Sequence, residues 1–397
     1  MKKHTLAAHN ITILFWASFF GSISFIQPVM TLFYMENGLT EAHILWVLMC
    51  WSGAVLVSEV PTGVFADRFG AKTSFITGAS LRFVSIALLL FADSPWFFYA
   101  SSILNGIAVT FFSGADEALI YESLKKSKEE HVMDRAMGKI ESASFATMIV
   151  SVLIGAYVAR DLQPKQFMLL IALGLVFQLA ELALLFFIKN PQNAGSYRDN
   201  PFMQVREGMQ AIQKKPQLLI IFLNVSLVFI PAGAVFDKFD QPLLKNAGAP
   251  VTMIGVIYAL AALLGFFASR SIGWMTAKIT KEKWMSITGY MAVIGLALAA
   301  AFGETLSLVL GALFMLRFVR AIRYPIYSQL SNDIIPSEVR ATTISLLSIL
   351  DSVLDLIIFG ALSAIALYGP AYLYGACAIV ALIGTLLPIR KIEVETK

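Results

Sequence analysis

Ten of the ionisable side chains inside runs of apolar residues stand out, because charge there is expensive: Glu59, Arg82, Asp116, Glu117, Glu181, Arg317, Arg320, Arg323, Asp351 and Asp355. At ~2.5–3.5 kcal/mol for each charge at a helix centre in hydrocarbon, exposing the set to lipid would cost on the order of 30 kcal/mol. They must therefore pair with one another or line water. Two kinds of chemistry suit them: a carboxyl group held away from solvent can load and release a proton, and a guanidinium presents paired donors to a carboxylate or phosphate. The types divide along the chain, with four acids and Arg82 in the first half, and two acids with three arginines in the second. Asp116 and Glu117 are the leading proton carriers, one of them facing a neighbour such as Arg82. Glu59 and Glu181, nearer helix ends, read as structural. Arg317, Arg320 and Arg323 recur every three residues along one helix, reaching comparable depths, and the expected pairing is with Asp351 and Asp355, one turn apart on the next helix. That network either binds an anionic group or is a locked salt-bridge cluster. Tyr121, with an apolar ring and a polar tip, and Gln27, beside Pro28 in the first helix, complete the expected binding set.

The elements that must position these residues are membrane helices. Of 397 residues 58% are hydrophobic and 14% charged, with a mean hydropathy of +0.74, so the solvent for most of the chain is lipid. Twelve apolar stretches are each long enough to cross a core of ~30 Å at ~1.5 Å per residue. They are placed at 11–35, 43–65, 73–92, 95–121, 137–159, 167–188, 218–236, 251–275, 284–302, 306–330, 341–367 and 371–389. Arg82, ten residues beyond Lys72, then lies about 15 Å deep, and Asp351, eleven beyond Arg340, about 16 Å. The first stretch is too long for a cleaved leader and lacks a cleavage site, so it is expected to stay in the protein. With the N-terminus inside, most Lys and Arg fall on the cytoplasmic side, leaving Arg160, Lys165, Lys238 and Lys245 outside. Both termini are then cytoplasmic.

Cys50 and Cys377 lie in separate helices with no disulfide or paired-cysteine metal pattern, and His4, His9, His43 and His131 fall at helix ends or loops. No metal site or cofactor is implied. No Ser/His or Cys/His constellation lies at membrane depth, which argues against a membrane-embedded enzyme, and no charge ring or filter repeat suggests a channel.

The two halves repeat. Gln27-Pro28 in the first helix matches Ile230-Pro231 in the seventh, Gly63 matches Gly273, and Arg135 with Gly155 matches Arg340 with Gly360, both pairs 20 residues apart. The expected fold is an all-α polytopic membrane protein with twelve transmembrane helices in two pseudo-symmetric six-helix bundles, residues 1–189 and 218–397. A cytoplasmic linker, 190–217, joins them, and the pattern Phe202, Val205, Met209 and Ile212 suggests a surface helix within it. Duplication of this kind relates the halves of many secondary transporters, which bind substrate near the bilayer midplane.

Gly63-Val64-Phe65-Ala66-Asp67-Arg68-Phe69-Gly70-Ala71-Lys72, after the second helix, reads as a tight gating turn. Gly63 permits close approach, Gly70 supplies a conformation denied to other residues, and Asp67 can accept from a helix N-terminus. This stretch resembles the G-x-x-A-D-R-x-G-x-K loop signature of the major facilitator superfamily, and the resemblance extends over the chain through its length, spans and repeat. It implies a non-enzymatic transporter in a bacterial cytoplasmic membrane, working as a monomer on a small-molecule substrate, with no nucleic-acid partner and a proton as the coupling ion. The sequences around Glu59 and around Ser113–Glu122 are similar to a bacterial small-molecule and drug efflux group, which implies proton-coupled efflux. Uptake of a small anionic nutrient and export of a metal ion are the alternatives. Two departures leave export unestablished by motif: Ser102, four residues before Gly106, stands where many proton-coupled members carry arginine, and Ser151 to Gly155 lacks the antiporter signature.

Overall fold

The computed structural model describes residues 5–113, 115–129, 132–191, 216–335 and 340–389, and these hold helices and no strand. Residues 192–215, most of the expected linker and its surface helix, lie outside the described set. Eight helical stretches are long and apolar enough to cross a membrane unaided. The other four crossing elements fall short for local reasons: two are interrupted, one carries three arginines, and the last, Pro370–Leu386, has 17 residues. Counted in chain order they make twelve.

Contacts divide the chain into two compact units, one of Met1–Gly38, Val47–Arg198 and Val251–Val256, the other of Leu39–Trp46, Asp199–Pro250 and Ile257–Lys397. In the first, helix α1 (Leu6–Gly21) stops well short of the expected 35, and the chain turns before a short 3-10 stretch at Gln27–Val29 and helix α2 (Met30–Glu36). Pro28 has no N–H to continue an α-helical ladder. Helix α3 (Glu41–Phe69) runs through the expected loop, so that Gly63 and Asp67 are helical and the connection to α4 (Ala71–Leu88) is Gly70 alone, at φ +84°. Helix α5 (Pro95–Thr110) is separated by residues 111–114 from α6 (Ala115–Ser127); α7 (Met133–Val158) and α8 (Pro164–Leu185) follow. Gly155 of α7 lies against the Phe25 carbonyl and Pro28, where a Cβ would overlap the carbonyl oxygen, so the bare glycine admits the interruption of the first crossing. Asn10 ties three elements: its Nδ2 donates to Ser123 Oγ at 2.9 Å and to the Lys189 carbonyl at 2.8 Å.

The second unit, besides the first turns of α3, takes in α9 (Pro216–Phe229), which passes through one π-helical stretch, Ile230–Val235, and continues as α10 (Phe236–Asn246). The seventh crossing thus extends ten residues beyond the expected end at 236. Helices α11 (Val251–Lys278), α12 (Lys281–Ala301), α13 (Leu306–Ile334), α14 (Arg340–Ala366) and α15 (Pro370–Leu386) complete it. Small residues set the close packing, as in lipid, where apolar burial between helices offers little. A Cβ on Gly289 of α12 would come within 2.5 Å of Thr385 on α15, and one on Gly384 within 2.7 Å of Leu227 on α9.

Candidate functional site

In the first unit the interruption between α5 and α6 frees backbone carbonyls, and neighbouring hydroxyls capture two of them. Thr62 Oγ1 donates to the Thr110 carbonyl at 3.1 Å and Ser74 Oγ to the Phe111 carbonyl at 2.5 Å. Asp116 and Glu117 are therefore not within a single unbroken helix, 95–121, as the sequence suggested. They occupy the first turn of α6, where the positive end of the helix dipole favours a carboxylate. Asp116 is half-buried, and the Glu117 side chain lies outside the described residues. Tyr121, on the same helix, is exposed, as is Gln27 at the start of the 3-10 stretch. Glu59 accepts from Ser113 Oγ at 2.9 Å, inside the interruption.

Among the described residues the ion-pair partner of Arg82 is not Asp116. Its guanidinium forms an ion pair with Glu181 of α8 and lies 5.1 Å from the centre of the Phe112 ring. Glu181 is 4% exposed, and its carboxyl fills the space left by the missing side chain of Gly21. A carboxylate so deeply enclosed by α1, α4 and α8 needs a cation, and α4 packs directly on α8.

The second unit holds a charge cluster assembled differently from the expected one. Arg317 Nη1 contacts Asp237 Oδ1 at 2.7 Å and Nη2 contacts Asp240 Oδ2 at 2.6 Å, while Arg320 pairs with Asp237. Tyr258 of α11 donates its hydroxyl to Asp240 Oδ1 at 2.5 Å, and Asp240 is fully buried. The partners of Arg317 and Arg320 thus come from the seventh crossing and not from Asp351 and Asp355 of the eleventh. Sequence reasoning missed both aspartates because hydropathy ended that helix at 236 and left them in a loop. The signal was present: Asp237 and Asp240 are spaced i, i+3, as are Arg317 and Arg320, and Phe236, Phe239, Leu243 and Leu244 continue an apolar face. Arg323, also fully buried, has no carboxylate partner among the described residues. It donates to the Met285 carbonyl at 2.5 Å, to Thr288 Oγ1 at 3.0 Å and to the Asn224 carbonyl at 2.8 Å, joining α9, α12 and α13. Asp351 is half-buried and accepts from Ser226 Oγ at 2.6 Å; Asp355 is half-buried one turn further along α14.

At the turn between α3 and α4, Asp67 and Arg68 sit on the last turn of α3, and the side chain that receives the α4 N-terminus is Asn190. Its Oδ1 accepts from the Lys72 backbone at 3.1 Å, and its amide packs on Gly70. Gly63 has open space where a Cβ would stand.

Comparison with known proteins places this geometry in a family. The profile of the Major Facilitator Superfamily matches residues 11–354. The chain is 24% identical over 353 residues to the uncharacterized MFS-type transporter YxaM of Bacillus subtilis (strain 168), covering 85% of this chain and 83% of that protein. It is 28% identical over 204 residues to the multidrug resistance protein MdtH of Proteus mirabilis (strain HI4320), which spans 51% of this chain and 47% of MdtH. Among solved structures, a point mutant of the nucleoside transporter NupG aligns with a TM-score of 0.77 at 14% identity, over 97% of this chain and 98% of that one. A D-xylose-proton symporter aligns with a TM-score of 0.71 at 14% identity, over 97% of each chain. A profile that spans most of the chain, on a twelve-helix fold shared with solved transporters, shows that this multi-pass membrane protein belongs to the Major Facilitator Superfamily of transporters.

Proposed function

We propose that the chain is an antiporter that exports a small organic molecule in exchange for protons across a bacterial cytoplasmic membrane, as a monomer with both termini on the cytoplasmic side. The observation that carries this reading is that two crossings depart from regular α-helix beside ionisable residues: Asp116 follows the α5–α6 interruption, and Asp237 and Asp240 follow the π-helical stretch of a helix that continues through it. Non-helical backbone at membrane depth is tolerated where it is buried in protein or lines a water-filled cavity, and in secondary transporters such broken helices form the substrate and ion sites. Similarity to MdtH, a multidrug resistance protein, supports export and an organic substrate. Asp116, with Glu117 beside it, is the group we assign to the proton in the N-terminal half. Arg317 and Arg320, engaged by Asp237 and Asp240, hold α10 to α13, which removes the donors that an anionic nutrient would need.

The test is ethidium transport in everted membrane vesicles acidified inside. Export activity loads ethidium into the lumen and partly dissipates the gradient, and Asp116→Asn with Glu117→Gln abolishes gradient-driven loading. Loading that occurs only in right-side-out vesicles would establish uptake instead, and loading unaffected by the double variant would remove Asp116 and Glu117 from the coupling role.

A further inference from the structure

The second unit contains a membrane-embedded carboxylate that the ion-pair cluster does not use. Asp351 lies eleven residues into α14, and its polar contact among the described residues is the hydroxyl of Ser226 on α9, which donates to Oδ1 at 2.6 Å. No Lys, Arg or His forms an ion pair with it among those residues, and the three α13 arginines are otherwise engaged. The elements around it offer little charge. Helix α9 and the π-helical stretch carry no ionisable residue. Helix α13 contributes the Tyr327 phenol, its ring tilted at 51° to that of Tyr324, and α15 contributes Tyr372, Tyr374 and Cys377, of which Tyr374 donates to the Phe239 carbonyl. On α14 itself Asp355 follows one turn later. Leu347, Leu350 and Leu354 on the flanking turns belong to an apolar cluster with Leu218 and Phe222 of α9.

A permanent ion pair would lock such a carboxylate in its charged form, whereas one neutral hydroxyl leaves it free to change state. We propose that Asp351 and Ser226 form a proton-binding site of the C-terminal half, distinct from Asp116, and that its proton is one of those exchanged for substrate. Uptake forms one O–H bond on the carboxylate with a proton from water on one side of the membrane, and release breaks that bond to water on the other. The Ser226 hydroxyl donates to the ionised carboxylate and, once the carboxyl is neutral, can turn back to a carbonyl of its own helix. The role in transport rests on the proton-coupled reading above, while protonation at Asp351 is measurable without it.

Infrared difference spectra of the full chain in lipid nanodiscs, titrated with pH, report the carbonyl stretch of protonated carboxyl groups. One titrating component is expected to vanish in Asp351→Asn, persist in Asp116→Asn and shift its midpoint in Ser226→Ala. Spectra of Asp351→Asn identical to wild type at every pH would overturn the site. Ser226→Ala keeps the carboxylate and carries the test should Asp351→Asn fail to assemble: an unmoved midpoint there counts against the pair. In proteoliposomes with the membrane potential clamped, each coupled proton supports about tenfold ethidium accumulation per pH unit, so Asp351→Asn should lose about that factor. Unchanged accumulation in the variant would deny Asp351 a coupled proton. Wild type indifferent to the gradient would sink the proton-coupled reading instead.

Discussion

Replacing Asp240 by asparagine separates a structural role of the α10–α13 cluster from a substrate-binding one. Asp240 is fully buried and takes two donors, Arg317 Nη2 at 2.6 Å and the Tyr258 hydroxyl at 2.5 Å. Asparagine keeps the shape and one acceptor oxygen but removes the charge. Breaking a buried pair from one side costs ~3–5 kcal/mol because the remaining ion is left uncompensated. Here Arg317 keeps Asp237 at 2.7 Å, although Arg320 draws on the same carboxylate, which places Asp240→Asn near the lower end, about 3 kcal/mol. That is roughly a 150-fold change in the unfolding equilibrium. The measurement is unfolding of the purified chain in mixed micelles of increasing SDS fraction, followed by circular dichroism. A double change, Asp240→Leu with Arg317→Met, removes both charges and should recover to within about 1 kcal/mol of wild type, since well-packed apolar replacements of buried pairs are often neutral. A loss below about 1 kcal/mol in Asp240→Asn, or a double variant no better than the worse single one, would refute the structural assignment of Arg317.

Three further outcomes follow from particular contacts. Gly21→Ala puts a methyl group into the space occupied by the Glu181 carboxyl, and should cost about 2–3 kcal/mol in the same titration; in a Glu181→Ala background, where the obstruction is gone, most of that loss should disappear. Asn190→Ala removes the acceptor for the Lys72 N–H and should lower stability by about 1 kcal/mol, whereas Asn190→Asp, which retains an acceptor at a helix N-terminus, should not. Arg323→Lys keeps the charge but cannot reach Met285, Thr288 and Asn224 together, and a yield of monodisperse protein in size-exclusion chromatography equal to wild type would contradict the reading of Arg323 as the link between α9, α12 and α13.

Composition and hydropathy by themselves determined that the chain lives in lipid and crosses twelve times, because these depend on transfer free energies summed over windows of about twenty residues; the repeat of its halves was legible in the matched Pro28 and Pro231, Gly63 and Gly273, and Arg135 and Arg340. The loop sequence from Gly63 to Lys72 was legible for a related reason: a positive φ at a one-residue turn demands glycine, and Gly70 adopts +84°. What windowed sums cannot see is where a crossing is interrupted. Residues 22–26 and 111–113 are apolar enough to continue a helix, and what satisfies the carbonyls freed at the second interruption comes from Thr62 and Ser74, about forty residues away in sequence. That interruption puts Asp116 and Glu117 on the first turn of a second helix instead of within one unbroken stretch, 95–121.

Partner choice was decided only by the tertiary structure. Ten charges in apolar segments announced that pairing must occur, since isolated charge in hydrocarbon is costly. Which acid meets which base depends on the rotation and depth of helices that hydropathy leaves free. Arg82 therefore found Glu181 on α8, beside Gly21, and Arg317 found Asp240, a residue that its polar neighbours Asp237 and Lys238 had assigned to a loop. Asp351, expected to answer an arginine, was left with a serine hydroxyl. Sequence sets the cost of each buried charge; only the packed helices determine which neighbour offsets it.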